Sequence, residues 1–374
     1  MAALLVLCSC NKKGYRNMGL DERPVIPEGQ TARKSYANPV IKNNCPDPSI
    51  IDDRERTGYF YAYSTQNGAN GAEDVVYLPV YRSKDMINWE LMGNAFGGQS
   101  RPTWGAEVTR VWAPDINYIN GQYVLYYALG HLEHSNLGTS GVAVSETPTG
   151  PFRDLGIIAS QDKTGVANSI DPNYFEDEDG RKYLFWGSYG AGSGIHVAEL
   201  SDDGLSLRPG AEPVHVAGNS NGSNMEGAYV YKHGGYYYLF ASMGNSFAGG
   251  ESTYRLVVGR SRNVTGPYTG PSGKDLTAAW YPSTAPDVIM EGYEPNTTFV
   301  GPGHNGEIVT DDAGSDWMIM HVRWSGDKYG GRPMILETCT GVPTGPTSVI
   351  PDVPPIRPMA LISIRKRIKL QKFA

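Results

Sequence analysis

The stretch Ser169-Ile170-Asp171-Pro172-Asn173-Tyr174-Phe175-Glu176-Asp177-Glu178-Asp179-Gly180-Arg181-Lys182-Tyr183-Leu184-Phe185-Trp186-Gly187-Ser188 places a polar residue before a short strand, then an acidic glycine turn, then an aromatic strand. That is the layout of a β-hairpin. The layout returns four times. Asp47-Pro48-Ser49-Ile50-Ile51 leads to Gly58-Tyr59-Phe60-Tyr61-Ala62-Tyr63-Ser64, and Asp115-Ile116-Asn117-Tyr118-Ile119 leads to Gly121-Gln122-Tyr123-Val124-Leu125-Tyr126-Tyr127. Glu226-Gly227-Ala228-Tyr229-Val230 leads to Gly235-Tyr236-Tyr237-Tyr238-Leu239-Phe240-Ala241-Ser242, and His304-Asn305-Gly306-Glu307-Ile308-Val309 leads to Gly314-Ser315-Asp316-Trp317-Met318-Ile319-Met320-His321.

The repeat extends beyond one hairpin. Gly141-Val142-Ala143-Val144-Ser145 followed by Thr149-Gly150-Pro151-Phe152 is matched by Leu256-Val257-Val258-Gly259-Arg260-Ser261 followed by Thr265-Gly266-Pro267-Tyr268. Gly194-Ile195-His196-Val197-Ala198-Glu199 stands in the equivalent place of the third copy. Units of this kind at intervals of about 55–80 residues predict an all-β fold, a five-bladed β-propeller. The innermost strand of a blade starts beside the central axis, so Asp47, Asp115, Asp171, Glu226 and His304 are expected to gather at one end of it. One such acid alone is best explained as a turn cap. Four carboxylates and an imidazole in register point to chemistry, because like charges held together raise one another's pKa and cost free energy.

Composition agrees. The 374 residues include 24 Tyr, 46 Gly and 26 Pro, and helical periodicity is hard to find. Of the 32 Lys and Arg, six (Arg357, Arg365, Lys366, Arg367, Lys369, Lys372) follow Val353, where no acid falls. The preceding body therefore carries 26 basic and 39 acidic residues, a balance of −13. That argues against a nucleic-acid partner.

The domain reading is a signal segment at 1–10, a polar linker at 11–37, a catalytic propeller at 38–337 and an atypical tail at 338–374, where the repeat fails. Met1–Cys10 is too short to span a bilayer as a helix and reads as a signal core. Leu7-Cys8-Ser9-Cys10 resembles a bacterial lipobox, which implies a lipid anchor at Cys10 and a secreted or cell-surface protein. The remaining pair, Cys45 and Cys339, is no disulfide framework. A bridge between blades that adjoin in a closed ring is geometrically allowed, and two free buried thiols are the expectation.

Four motifs, Asn44-Cys45-Pro46-Asp47-Pro48-Ser49, Val111-Trp112-Ala113-Pro114-Asp115, Ser169-Ile170-Asp171-Pro172-Asn173 and Met225-Glu226-Gly227-Ala228-Tyr229, together resemble glycoside hydrolase family 43. Tyr236-Tyr237-Tyr238-Leu239-Phe240, Ser252-Thr253-Tyr254-Arg255 and Gly301-Pro302-Gly303-His304 are most similar to its arabinan-degrading branch. The resemblance implies that Asp47 is the general base, Glu226 the general acid and Asp171 the residue that orients the acid and keeps its pKa raised. An inverting glycosidase needs its two carboxyls about 6.5–9.5 Å apart, with room for a water opposite the leaving group. A third carboxylate nearby keeps the acid protonated near neutral pH.

The resemblance also implies that His304 helps hold a calcium ion or a water cluster in the central channel. Calcium prefers oxygen ligands, so a mostly hydrated ion with one imidazole is the physical form. Trp112, Asp115, Asn168 and Ser188 are the candidate sugar-binding residues, with Trp112 stacking on a sugar ring and Trp104 read as a core aromatic. The function implied is endo-acting hydrolysis of α-1,5-L-arabinofuranosyl linkages in arabinan, with inversion. The alternatives are an exo-acting α-L-arabinofuranosidase or β-xylosidase of the same family, and a non-catalytic glycan-binding propeller.

Overall fold

A computed structural model describes residues 36–68, 74–104, 109–131, 138–219, 221–278, 287–291, 299–326 and 331–339. Five antiparallel sheets of four strands follow one another along the chain. The first holds β1 (Ser49–Asp53), β2 (Tyr59–Tyr63), β3 (Pro79–Ser83) and β4 (Glu90–Asn94). The second holds β5 (Thr109–Ile119), β6 (Gln122–His131), β7 (Thr139–Ser145) and β8 (Arg153–Ala159). The third holds β9 (Asn173–Glu176), β10 (Lys182–Trp186), β11 (Ile195–Glu199) and β12 (Val214–Ala217). The fourth holds β13 (Met225–His233), β14 (Tyr236–Met243), β15 (Arg255–Ser261) and β16 (Val288–Met290). In the fifth, β17 (Phe299–Gly303) and β18 (Ile308–Thr310) lie end to end along one edge of β19 (Asp316–Trp324), and β20 (Met334–Cys339) lies along the other. The architecture is a five-bladed β-propeller.

The strands read as continuous apolar runs because both faces of each blade are buried. Side chains alternate along a strand, and the alternation divides them between two neighbours. In the third blade Phe175, Tyr183 and Phe185 pack with the fourth blade's Val230, Leu239 and Val257. Tyr174, Leu184 and Trp186, the intervening residues, pack with the second blade's Val124, Tyr126 and Val142. The other clusters join the first and second blades, the fourth and fifth, and the fifth and first. The core is thus five apolar layers between blades, with a polar axis.

Around that axis runs a closed belt of buried hydrogen bonds, each from a main-chain N–H to a side chain of the preceding blade. Ile116 N donates to Ser49 Oγ at 3.1 Å, Tyr174 N to Asp115 Oδ2 at 2.9 Å and Val230 N to Asn173 Oδ1 at 3.1 Å. Ile308 N donates to the Tyr229 hydroxyl at 3.0 Å, and Ile50 N to Glu307 Oε2 at 2.6 Å, which closes the circle.

The ring is also closed at its rim. The segment before the first blade runs along the outer edge of β20, the place of a fourth strand. Val40 N donates to Met334 O at 2.9 Å, Met334 N to Ile41 O at 3.0 Å and Cys45 N to Arg332 O at 2.8 Å. Asn38 mimics a strand with its side chain: Leu336 N donates to its Oδ1 at 3.0 Å while its Nδ2 donates to Leu336 O at 3.1 Å. The sequence reading left this outer place of the fifth blade unfilled, because the residues that fill it lie some 300 positions away. Cys45 and Cys339 form no disulfide; Cys45 is buried as expected, Cys339 only half-buried, and burial pushes the Cys45 thiol up to about 12. The signal segment, most of the linker and the tail beyond Cys339 lie outside the described residues, as does Cys10 with its proposed anchor.

Candidate active site

On or just beside the inner edge of each blade stands a residue in the left-handed region: Asp47 (φ 51°), Ala113 (φ 37°), Asp171 (φ 58°), Gly227 (φ 61°) and His304 (φ 47°). Four are not glycine, and each costs about 1–3 kcal/mol of local strain, a type of strain that clusters at functional sites. The turn aims these side chains at one end of the axis. It also corrects the sequence register. Asp47, Asp171 and His304 occupy equivalent positions, but in the fourth blade glycine takes the left-handed place. A Cβ there would lie 3.1 Å from the His304 ring. The acid of that blade is consequently the preceding residue, Glu226. Asp115 falls two residues past Ala113, in the inter-blade belt. Its carboxylate accepts from Asn117 Nδ2, Asn173 Nδ2 and Tyr174 N, so it binds protein and does not join the axial group.

Asp47, Asp171, Glu226 and His304 do come together. Asp47 Oδ2 accepts from Thr65 Oγ1 at 2.7 Å, and its Oδ1 accepts from Arg332 NH1 at 3.1 Å. The same Oδ1 faces Nδ1 of His304 and of His321, each at 3.3 Å. Burial alone would raise this carboxyl. The Arg332 guanidinium overrides that and holds it well below the usual carboxylate range. His321 Nδ1 also lies 3.2 Å from the Asp47 main-chain N–H. It can accept that proton or donate to the carboxylate, not both. Burial pushes His321 down to about 4, so at neutral pH the ring is uncharged, Nδ1 accepts and Nε2 carries the hydrogen. Burial likewise lowers His304, against the pull of Asp47.

Glu226 and Asp171 form the other half. Ser188 Oγ donates to Glu226 Oε2 at 2.7 Å and the Tyr254 hydroxyl to Oε1 at 2.8 Å, while Gly227 N donates to Asp171 Oδ2 at 3.2 Å. Burial first, then mutual repulsion and the charge of Asp47, raise both carboxyls. The two titrate as one unit and hold a proton where a solvated carboxyl would have lost it. An ionised carboxylate and a protonated one, facing each other near the axis, are the two states that acid–base chemistry needs.

Of the expected sugar contacts, Ser188 touches Glu226 itself. Asn168 Nδ2 donates to Tyr189 O at 3.1 Å, and the Tyr189 hydroxyl reaches Gly244 O at 2.9 Å, tying the third blade's loop to the fourth's. Trp112 is half-buried, its ring laid over Gly130, where a Cβ would stand 1.9 Å from the indole. It adjoins Ala113, the left-handed residue of the second blade. Trp104 is half-buried at the edge of the layer between the first and second blades, where it packs on Tyr127 and Gly141 and donates its indole N–H to Asp154. The sequence reading missed Thr65, Tyr254, His321 and Arg332 as site residues. Their signal is distance in the chain: Arg332 and Asp47 are 285 residues apart and meet only when the ring closes.

No group of three or more His, Cys, Asp and Glu side chains able to hold a metal ion occurs among the described residues. His304 offers one imidazole, and the nearest carboxylate oxygen is already shared with Arg332 and His321. That donor set does not fit direct calcium coordination, which takes six to eight oxygens.

Residues 36–341 match the family model for glycosyl hydrolases family 43. The chain belongs to that family. It is a glycoside hydrolase of the arabinanase branch. It is 33% identical over 302 residues to an extracellular exo-α-(1→5)-L-arabinofuranosidase of Cellvibrio japonicus, covering 74% of this chain and 79% of the relative. It is 32% identical over 238 residues to an extracellular endo-α-(1→5)-L-arabinanase of Bacillus subtilis, covering 62% and 69%. Among solved structures, the Cellvibrio cellulosa α-L-arabinanase complexed with arabinohexaose superposes with a TM-score of 0.67 at 26% identity, covering 86% of this chain and 98% of that one. The family 43 endo-arabinanase from Bacillus licheniformis gives 0.63 at 28%, covering 79% and 94%.

Proposed function

We propose that this family 43 glycosidase hydrolyses α-1,5-L-arabinofuranosyl linkages in arabinan by single displacement with inversion, acting within the chain. The observation that carries the mechanism is the opposite bias of the two carboxyl groups: Asp47 ionised by Arg332, the Glu226–Asp171 pair kept protonated by burial and repulsion. Water attacks the anomeric carbon and gives a proton to Asp47. The glycosidic C–O bond breaks, its electron pair stays on the leaving oxygen, and that oxygen takes the proton of Glu226. Ionising both Asp171 and Glu226 would set two negative charges side by side in a buried site, so the pair keeps a proton for Glu226 to deliver.

The substrate is supported by the arabinan-cleaving relatives, endo-acting ones among them. Exo action is the second reading, supported by the Cellvibrio japonicus relative. Incubating the protein with linear debranched arabinan and sizing the products decides between them: oligosaccharides mean endo cleavage, arabinose alone means exo. Asp47→Ala and Glu226→Ala each abolish turnover while the fold is kept. Activity retained in either removes that residue's role.

Relatives named extracellular support a secreted protein. A lipid anchor at Cys10 is proposed from its lipobox-like surroundings and is tested by labelling cells with a palmitate analogue. Calcium at His304 is proposed only as an ion held through its own water shell. A melting temperature that rises with millimolar calcium supports it, and an unchanged one removes it.

A further inference from the structure

Glu226 is held from one side by an aromatic stack. The Tyr254 hydroxyl donates to Glu226 Oε1 at 2.8 Å, and the Tyr254 ring lies on the His321 ring at 5.6 Å with only 7° between their planes. Both are 1% exposed. His321 in turn receives the Asp47 main-chain N–H at 3.2 Å. Its Nε2 has no hydrogen-bond partner among the described residues, so the ring's position depends on the stack and on Asp47. One rigid unit therefore spans from the acid of the fourth blade to the base of the first, crossing the fifth.

We infer that Tyr254 and His321 are coupled positioning residues: the phenol sets the orientation and proton affinity of Glu226, and its seat on His321 ties the acid to the base. This rests on the proposed glycosidase reading and deepens it. The separation of the two carboxyls decides whether an attacking water fits. A hydrogen-bonded residue stacked on the base's own partner holds that separation more firmly than two loops would.

The groups facing Glu226 are Ser188, Tyr189 and Asp171 from the third blade and Tyr254 from the fourth, with Asp47 and Arg332 acting on it by charge. Among the described residues Ser188 and Tyr254 alone donate hydrogen bonds to it, and donors favour the ionised form. Removing the phenol therefore raises the proton affinity of Glu226. The alkaline limb of kcat/KM, where the acid loses its proton, moves to higher pH.

The test combines pH–rate profiles on an arabino-oligosaccharide with a carboxyl NMR titration of Glu226. In Tyr254→Phe, kcat falls about tenfold with little change in KM, as expected for one lost hydrogen bond to an ionisable group. The alkaline limb and the Glu226 titration both move up. His321→Asn keeps an acceptor for the Asp47 N–H but removes the seat of the ring, and moves the limb in the same direction. His321→Phe keeps the seat and leaves the limb in place. Activity that drops in Tyr254→Phe with neither the limb nor the titration moved means a merely structural tyrosine and overturns the inference. A shift in Tyr254→Phe with none in His321→Asn overturns the coupling. A wild type inactive on arabinan and xylan sinks the proposed function instead, while the NMR titration still judges the role of Tyr254.

Discussion

Asp47 shows how one residue can be specified by partners from two distant parts of the chain. Thr65 comes from the loop after β2, and His304, His321 and Arg332 come from the fifth blade. Arg332 supplies the only permanent positive charge among them. Arg332→Ala should thus lower kcat/KM by about 10–100-fold, the usual effect of losing a hydrogen bond to a charged group, and raise the acid limb of the pH profile. The sign follows from linkage. Asp47 has a folded pKa below its unfolded value, so it contributes stability above the unfolded pKa that is lost as pH falls through the folded one. The Glu226–Asp171 pair has raised values, so its contribution is greatest in acid and is lost as pH rises from the unfolded pKa through the folded ones. Without Arg332 the first of these contributions shrinks, and acid stability measured by thermal melts at low pH depends less on Asp47.

Elements repeat in this chain, and their repetition exposes what each blade varies. The hairpin layout that identified the blades survives in all five. The belt position two or three residues past the left-handed turn is filled by Ser49, Asp115, Asn173, Tyr229 and Glu307, five different side chains that share one task. Tyr229 is the longest reach of the five, and its hydroxyl meets the Ile308 N–H. Tyr229→Phe leaves that buried N–H without an acceptor and should cost about 1–3 kcal/mol, read as a lower urea midpoint with an unchanged slope. The same belt explains the misplacement of Asp115. Aligned by its hairpin it looks like a fourth axial acid. Aligned by the left-handed residue it is a belt residue, because the turn, not the strand, aims a side chain at the axis.

At the level of the molecule, the propeller is a ring whose two ends must meet. The rim contact depends on Asn38, whose side chain makes three bonds to Leu336 and Glu337. Asn38→Ala should lower stability by about 1–3 kcal/mol, since it strands the Leu336 N–H, and guanidinium or urea unfolding checks it. Much of this was legible in advance. Continuous apolar and aromatic strands, glycine turns and five echoes are local patterns, and local patterns survive in a linear string; they yielded the blade number and all four residues that gather at the axis, along with Asp115, which does not join them. The partners of those residues were not legible. Thr65 and Arg332 carry no motif, Tyr254 and His321 lie in stretches whose pattern gives them no role, and each of the four acquires its role from a residue 18 to 285 positions away. Chemistry at Asp47 and Glu226 is written in residue type, but which of the two is ionised is set by burial and by charges that only ring closure brings near, since electrostatic and desolvation effects act through space and not along the chain.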